Sequence, residues 1–170
     1  YCDKMGLQYL FFDKYSIQKY LGVHEKFYYD LEFTWQRIDF IRYLILNKEG
    51  GVYIDLDIYP QKDKDFFDLL EQRYLLNYWT NPKTEIREVT NSIMGCEPGD
   101  FDELIKYSIG ETERCRKIPI YLCWKIRYMK QTTGVQMFKR WIKIKKWSFT
   151  QNMHDYIVDE CSSTWTKNFH

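Results

Sequence analysis

The segment from Asp39 to Asp57 constrains this chain most, because a helix runs into Gly50-Gly51 and directly on into a strand bearing two acidic residues. Phe33 to Asn47 carries the helix. Trp35, Asp39 and Arg42 stand four and three residues apart in it and so share a face. Gly50-Gly51 closes the helix as a C-cap, with one glycine in the left-handed conformation. Val52 to Tyr59 then reads as a strand ended by Pro60. Alternation puts Val52, Ile54, Leu56 and Ile58 on one face and Tyr53, Asp55, Asp57 and Tyr59 on the other. Two carboxylates side by side repel each other unless a proton or cation neutralises them, and hard divalent ions prefer carboxylate oxygens. Asp55 and Asp57 are therefore a candidate site for Mn2+ or Mg2+. Taken alone, Asp-x-Asp also fits a solvated strand end, and Asp39 with Arg42 also fits a surface ion pair. The coincidence of cap, acidic pair and Asp/Arg face in one short segment favours a site.

The rest of the chain reads as alternating strands and helices. Leu7 to Phe12 is an apolar run of strand length, and Asp13 to Ser16 is a turn into a helix containing Ile17, Tyr20 and Leu21. Asp65 to Leu70 reads as a short helical turn. Tyr74 to Trp79 and Ser92 to Cys96 read as strands around a loop containing Asn81-Pro82. Phe101 to Ser108 is expected to be helical, capped by Asp100 or Gly99. Ile120 to Lys130 and Val135 to Trp147 are expected helices separated by Thr132-Thr133-Gly134. Such alternation implies an α/β sheet with helices on both faces, which binds ligands at the C-terminal ends of its strands, where Asp55 and Asp57 fall.

A chain of 170 residues suits a single domain with a substantial core. Its 25 basic and 24 acidic side chains nearly cancel, so no overall field draws it to nucleic acid. One stretch, Lys139 to Trp147, interleaves cations with apolar residues and could touch a membrane or an acidic glycan; it also fits an amphipathic helix with a solvated basic face. Fifteen Tyr and six Trp suit sugar and base recognition as well as packing. Cys2, Cys96, Cys115, Cys123 and Cys161 are odd in number and lack zinc-ligand spacing, which fits reduced thiols and a cytoplasmic setting. Neither a signal peptide nor an apolar run of membrane-spanning length is evident, so the chain is expected to be soluble.

Asp39, Arg42, Tyr43, Gly50, Gly51, Tyr53, Asp55 and Asp57 together form Asp-x-x-Arg-Tyr, a hydrophobic stretch, and Gly-Gly-x-Tyr-x-Asp-x-Asp. In this the chain resembles the DXD-motif glycosyltransferases, the group of yeast-type initiating mannosyltransferases, capsular polysaccharide transferases and glucosylating toxins. The resemblance implies a GT-A fold, a single Rossmann-like mixed sheet flanked by helices. It also implies that the first strand, which helps to hold the base, has no counterpart here, as though the domain were incomplete at its N-terminus. By resemblance, Asp39 contacts donor-sugar hydroxyls and Arg42 lies by the sugar and phosphates. Asp55 reaches ribose and sugar, Tyr43 belongs to the donor site, and Asp57 binds the metal directly or through water.

Three further matches extend the resemblance. Glu160-Cys-Ser-Ser163-Thr-Trp165 resembles a metal and diphosphate loop. It implies that Glu160 and Ser163 complete the metal shell and that the Trp165 indole donates to phosphate. A polar tail with a half-buried tryptophan is the alternative, and His170 is a competing metal ligand. Thr132-Thr133-Gly134 resembles a Thr-Gly-Pro loop, with Val135 in place of proline. Asn91 to Cys96, followed by Glu97-Pro98-Gly99, resembles the strand and turn beside donor and acceptor, and Asn91 is carried over as donor-binding.

The implied activity transfers a sugar, with retention, from a UDP- or GDP-linked donor to a hydroxyl of a glycan or protein. Two alternatives stand beside it. One is a degenerate domain that binds sugar nucleotide or glycan without turnover. The other is a haloacid-dehalogenase-type phosphatase, in which Asp55 is the nucleophile and Asp57 the acid/base. The second leaves Asp39, Arg42 and Gly50-Gly51 without a role and meets Tyr59 where Thr or Val is expected.

Overall fold

The structure is a computed structural model, and it describes residues 6–60, 75–80, 85, 87–118, 125–146, 151–152 and 157–159. It is a mixed α/β arrangement. In order it has α1 (Gln18–Leu21), a 3-10 turn (Gly22–His24), α2 (Glu25–Tyr29), α3 (Thr34–Glu49), β1 (Gly51–Ile54) and β2 (Ile58–Pro60). There follow β3 (Leu75–Thr80), β4 (Arg87–Cys96), α4 (Asp102–Arg116), α5 (Lys125–Thr132), α6 (Val135–Lys145), β5 (Gln151–Asn152) and β6 (Ile157–Asp159).

The α/β sheet expected from strand–helix alternation is small and mostly antiparallel among the described residues. Four strands run in the order β1-β4-β3-β5, and β2 pairs separately with β6. The β1–β4 and β3–β4 pairs are antiparallel, and β3–β5 alone is parallel in that sheet. Leu7 to Phe12 forms no strand, and Tyr9, Leu10 and Phe11 are exposed. A short apolar run does not reveal whether a partner strand will accept its backbone groups. The turn that follows is as expected: the Asp13 carboxylate accepts from the N–H of Ser16 at 2.8 Å and of Tyr15 at 3.1 Å.

The central helix, α3, buries Phe40, Ile41, Tyr43, Leu44 and Leu46. Its first turn is closed by Gln36 Oε1, which accepts the Phe33 N–H at 3.1 Å. At its end both Gly50 and Gly51 have positive φ, 69° and 84°. Gly50 is needed for space as well, because a Cβ there would stand 2.7 Å from Pro98 Cδ. The turn after β4 is stitched to this end of α3: Gly99 N–H donates to Asn47 O at 2.7 Å, and Phe101 N–H to Asn47 Oδ1 at 2.9 Å. Asn47 thus holds the residue just before α4, Gly99 O accepts from Asp102 N–H at 3.3 Å at the start of the helix, and Asp100 accepts from Glu97 N–H at 3.1 Å.

The basic stretch from Lys139 is resolved in favour of the core. Phe138, Trp141 and Ile142 on α6 are buried, and Phe138 stacks with both Tyr43 and Trp141. Arg140 pairs with Glu111 and Gln131, Lys145 with Glu103, and Lys139 and Lys143 are exposed. Trp141 and Ile142 are therefore spent on packing, while Ile144 is exposed. No described helix is long and apolar enough to cross a membrane. Asp65 to Leu70, the Asn81-Pro82 loop and Trp147 lie outside the described residues.

Candidate functional site

Arg42 is the centre around which the site is assembled. Three and four residues of helix place it beside Asp39 and over Ile38, so its guanidinium meets Asp39 Oδ1 at 3.3 Å and donates from Nε to Ile38 O at 3.4 Å. Across the strands Nη1 donates to Asn91 O at 2.8 Å and lies 3.5 Å from Asp55 Oδ1. The Tyr53 ring covers the guanidinium, 4.6 Å from its carbon to the ring centroid. The Arg42 and Asp39 side chains are only 8% and 16% exposed, so this is no surface ion pair. Removing Arg42 would leave Asp39 desolvated and without its cation.

Asp39 is held on both oxygens. Asn91 Nδ2 donates to Oδ1 at 3.0 Å, and the Thr133 hydroxyl lies 3.5 Å from Oδ2. Burial nonetheless pushes its carboxyl above the ordinary value of 3.8, against the opposing pull of Arg42. Burial would lower the Arg42 guanidinium, but Asp39, Tyr53 and Asp55 more than offset that, and it stays a cation. Tyr43 bridges core and site. Its ring stacks on Phe138, its hydroxyl donates to Thr133 O at 2.7 Å, and burial raises its phenol.

The strand geometry expected for the acidic pair is corrected. β1 ends at Ile54, and Asp55 N–H makes one more link, to Ser92 O at 2.8 Å. The chain then turns, with Ile58 N–H donating to Asp55 O at 3.2 Å. Aspartate is favoured at the first position of such a turn. Asp55 and Asp57 therefore lie together in the turn after the strand, not on one strand face, and Leu56 is exposed instead of packed. Asp55 keeps its place at the hub, since Tyr53 donates its hydroxyl to the same oxygen that faces Arg42.

The structure thus brings together Asp39, Arg42, Tyr43, Asp55 and Asn91, with Asp57 two residues further along the turn. It adds Tyr53, Gln36 and Thr133, to which sequence reasoning assigned no role. For Gln36 a signal existed: with Asp39 and Tyr43 it makes a stripe spaced three and four apart on α3. Glu160, Ser163, Trp165 and His170 lie outside the described residues. Among the described residues no group of three or more His, Cys, Asp or Glu side chains gathers as a metal cage.

The segment that builds this hub is also the one with a known counterpart. Residues 4–76 match the glycosyltransferase sugar-binding region containing DXD motif. The DXD resemblance read from Asp39 to Asp57 is therefore shown: this part of the chain is similar to that sugar-binding region. Its span takes in the helix Asp and Arg, the glycine pair and the acidic turn, and stops before Asn91 and Thr133. No curated protein matches the chain.

Proposed function

We propose that this chain is a metal-dependent glycosyltransferase of GT-A type, moving a sugar from a nucleotide-diphosphate sugar to a hydroxyl of a glycan or protein. The observation that carries the reading is the Asp39–Arg42–Asp55 hub around the buried Arg42, built inside a region that matches sugar-binding DXD transferases. A carboxylate has about four acceptor positions. Arg42, Asn91 and Thr133 occupy three on Asp39, and the remaining one suits a donor-sugar hydroxyl. Arg42 is too enclosed to wrap a diphosphate, so its work is to hold both aspartates in place and to keep positive charge behind the donor.

Asp55 and Asp57 fit a hard divalent ion, because Mg2+ and Mn2+ are commonly held by one or two carboxylates together with substrate phosphates instead of an all-protein cage. Asp57, with Asp55 beside it, would hold the cation. Glu160 and Ser163 would complete the set, with His170 as a competing ligand and Trp165 on a phosphate. When bound, the ion supplies neutralisation of the charge on the departing diphosphate. In the reaction the bond from the anomeric carbon to the diphosphate oxygen breaks and one to the acceptor oxygen forms. The acceptor proton passes to the leaving diphosphate. Asp39 and Asp55 are both tied to Arg42, which disfavours either as a covalent nucleophile and supports attack from the leaving-group side, with retention. The same tie on Asp55 disfavours the phosphatase reading.

Calorimetric titration of UDP, GDP and their sugars, with and without Mn2+, tests this on the wild type and on Asp57→Ala. Metal-dependent binding that disappears in the variant is expected. No binding of any nucleotide would overturn the proposal, and binding with neither transfer nor hydrolysis would make the domain a non-catalytic sugar-nucleotide binder. Product inverted at the anomeric carbon, read by NMR, would exclude retention.

A further inference from the structure

Gln36, Asp39 and Tyr43 form one stripe on α3, and all three reach the same three residues, Thr132 to Gly134, between α5 and α6. Gln36 Nε2 donates to Thr132 Oγ1 at 2.7 Å, and Tyr43 donates to Thr133 O at 2.7 Å, both in buried surroundings. The loop is also pinned from its own side. Thr133 and Gly134 N–H both donate to Met129 O, at 3.2 and 3.0 Å, and Ser108 Oγ donates to Thr132 O at 3.3 Å. Between these anchors sits Asp39. Thr133 Oγ1 lies 3.5 Å from Asp39 Oδ2, and a Cβ on Gly134 would stand 3.1 Å from that same oxygen. Gly134 has a φ of -86°, open to any residue, so glycine serves here for space and not for backbone conformation.

We propose that the Thr132–Gly134 loop is a positioning element for Asp39, with Thr133 as the residue that sets the plane of its carboxylate for the donor sugar. The inference rests on the glycosyltransferase reading and deepens it. Arg42 and Asn91 both hold Oδ1, and one anchored oxygen leaves the terminal torsion of an aspartate broad. The second anchor, on Oδ2, comes from the loop alone among the described residues. Contacts of this length in a site without substrate shorten when the reacting complex forms. A modest misplacement of a sugar-contacting group is enough to lower turnover by an order of magnitude or more.

The test is donor kinetics and stability of the full chain carrying Thr133→Val or Thr133→Ser. Val keeps the buried volume and removes the hydroxyl, and Ser does the reverse. Positioning predicts that Val lowers kcat/KM for the sugar nucleotide about tenfold, leaves binding of the free nucleotide unchanged, and is rescued by Ser to within about twofold. A packing role predicts the opposite order, with Ser the worse variant. That order, or a Val variant with wild-type kcat/KM, would overturn the proposal. If wild type turns over no donor, it is the glycosyltransferase reading that fails. The loop is then judged by a Thr133→Val/Asp39→Asn double-mutant cycle in urea, where coupling supports the link and additivity sinks it.

Discussion

Replacing Arg42 with Met removes the one cation of the hub while keeping an unbranched apolar chain of similar reach beneath Tyr53. The guanidinium bridges Asp39 at 3.3 Å and Asp55 at 3.5 Å and donates to Asn91 O at 2.8 Å. Its loss leaves Asp39 desolvated and unpaired, and truncation of a buried pair on one side costs about 3–5 kcal/mol. In a chain of this size each kcal/mol shifts Tm by about 2–4 °C, so a fall of roughly 6–20 °C is expected at pH 7. The pH dependence has a definite sign. Burial already raises the Asp39 carboxyl above 3.8, so its ionised form weakens the fold above that value and protonation relieves the cost as pH falls. Without Arg42 the carboxyl rises further. The gap between variant and wild type must therefore narrow as pH falls towards the ordinary carboxylate value of 3.8. Urea denaturation at several pH values, followed by far- and near-ultraviolet circular dichroism, measures this. Adding Asp39→Asn to the variant should recover much of the loss. A penalty below about 1 kcal/mol that does not change with pH would mean that the hub is solvated, and the burial argument would be wrong.

Two further outcomes are expected. Gly50→Ala and Gly51→Ala each force alanine into positive φ, at about 1–2 kcal/mol, but only at Gly50 would the new Cβ press on Pro98; thermal melts should show Gly50→Ala as clearly the more damaging, and equal losses would refute the contact. Glu111 is held below its ordinary 4.5 first by its hydrogen bond to Arg114 and also by Arg140. Its contribution is present above 4.5 and lost as pH falls through the lowered value, so Glu111→Gln should cost about 1 kcal/mol at pH 7 and converge with wild type once the pH falls below that lowered value, read in denaturant titrations.

The helix, its glycine cap and the pairing of Asp39 with Arg42 were readable because they are local. Spacing of three along α3 dictates the Asp39–Arg42 pair, and two positive φ angles in succession need glycine. The existence and start of α6 at Val135 were equally legible. Strand partners were not: β4 begins at Arg87, five residues before Ser92, and Leu7 to Phe12 pairs with nothing described. Backbone pairing depends on a partner elsewhere in the chain, and an apolar run carries no mark of it. The turn at Asp55 was hidden for a related reason, since alternation of apolar and polar residues continues through it while the hydrogen bonds do not.

The sequence by itself determined which chemistry is available here: one arginine, a helix aspartate and an acidic pair, tethered by a glycine turn that brings helix end and strand start together. Only the tertiary structure decided how that chemistry is organised. Asn91 and Thr133 reach Asp39 from 52 and 94 residues away in the chain. Long-range packing desolvates Arg42 and Asp39, and burial, not residue type, is what distinguishes this Asp/Arg pair from one on the surface.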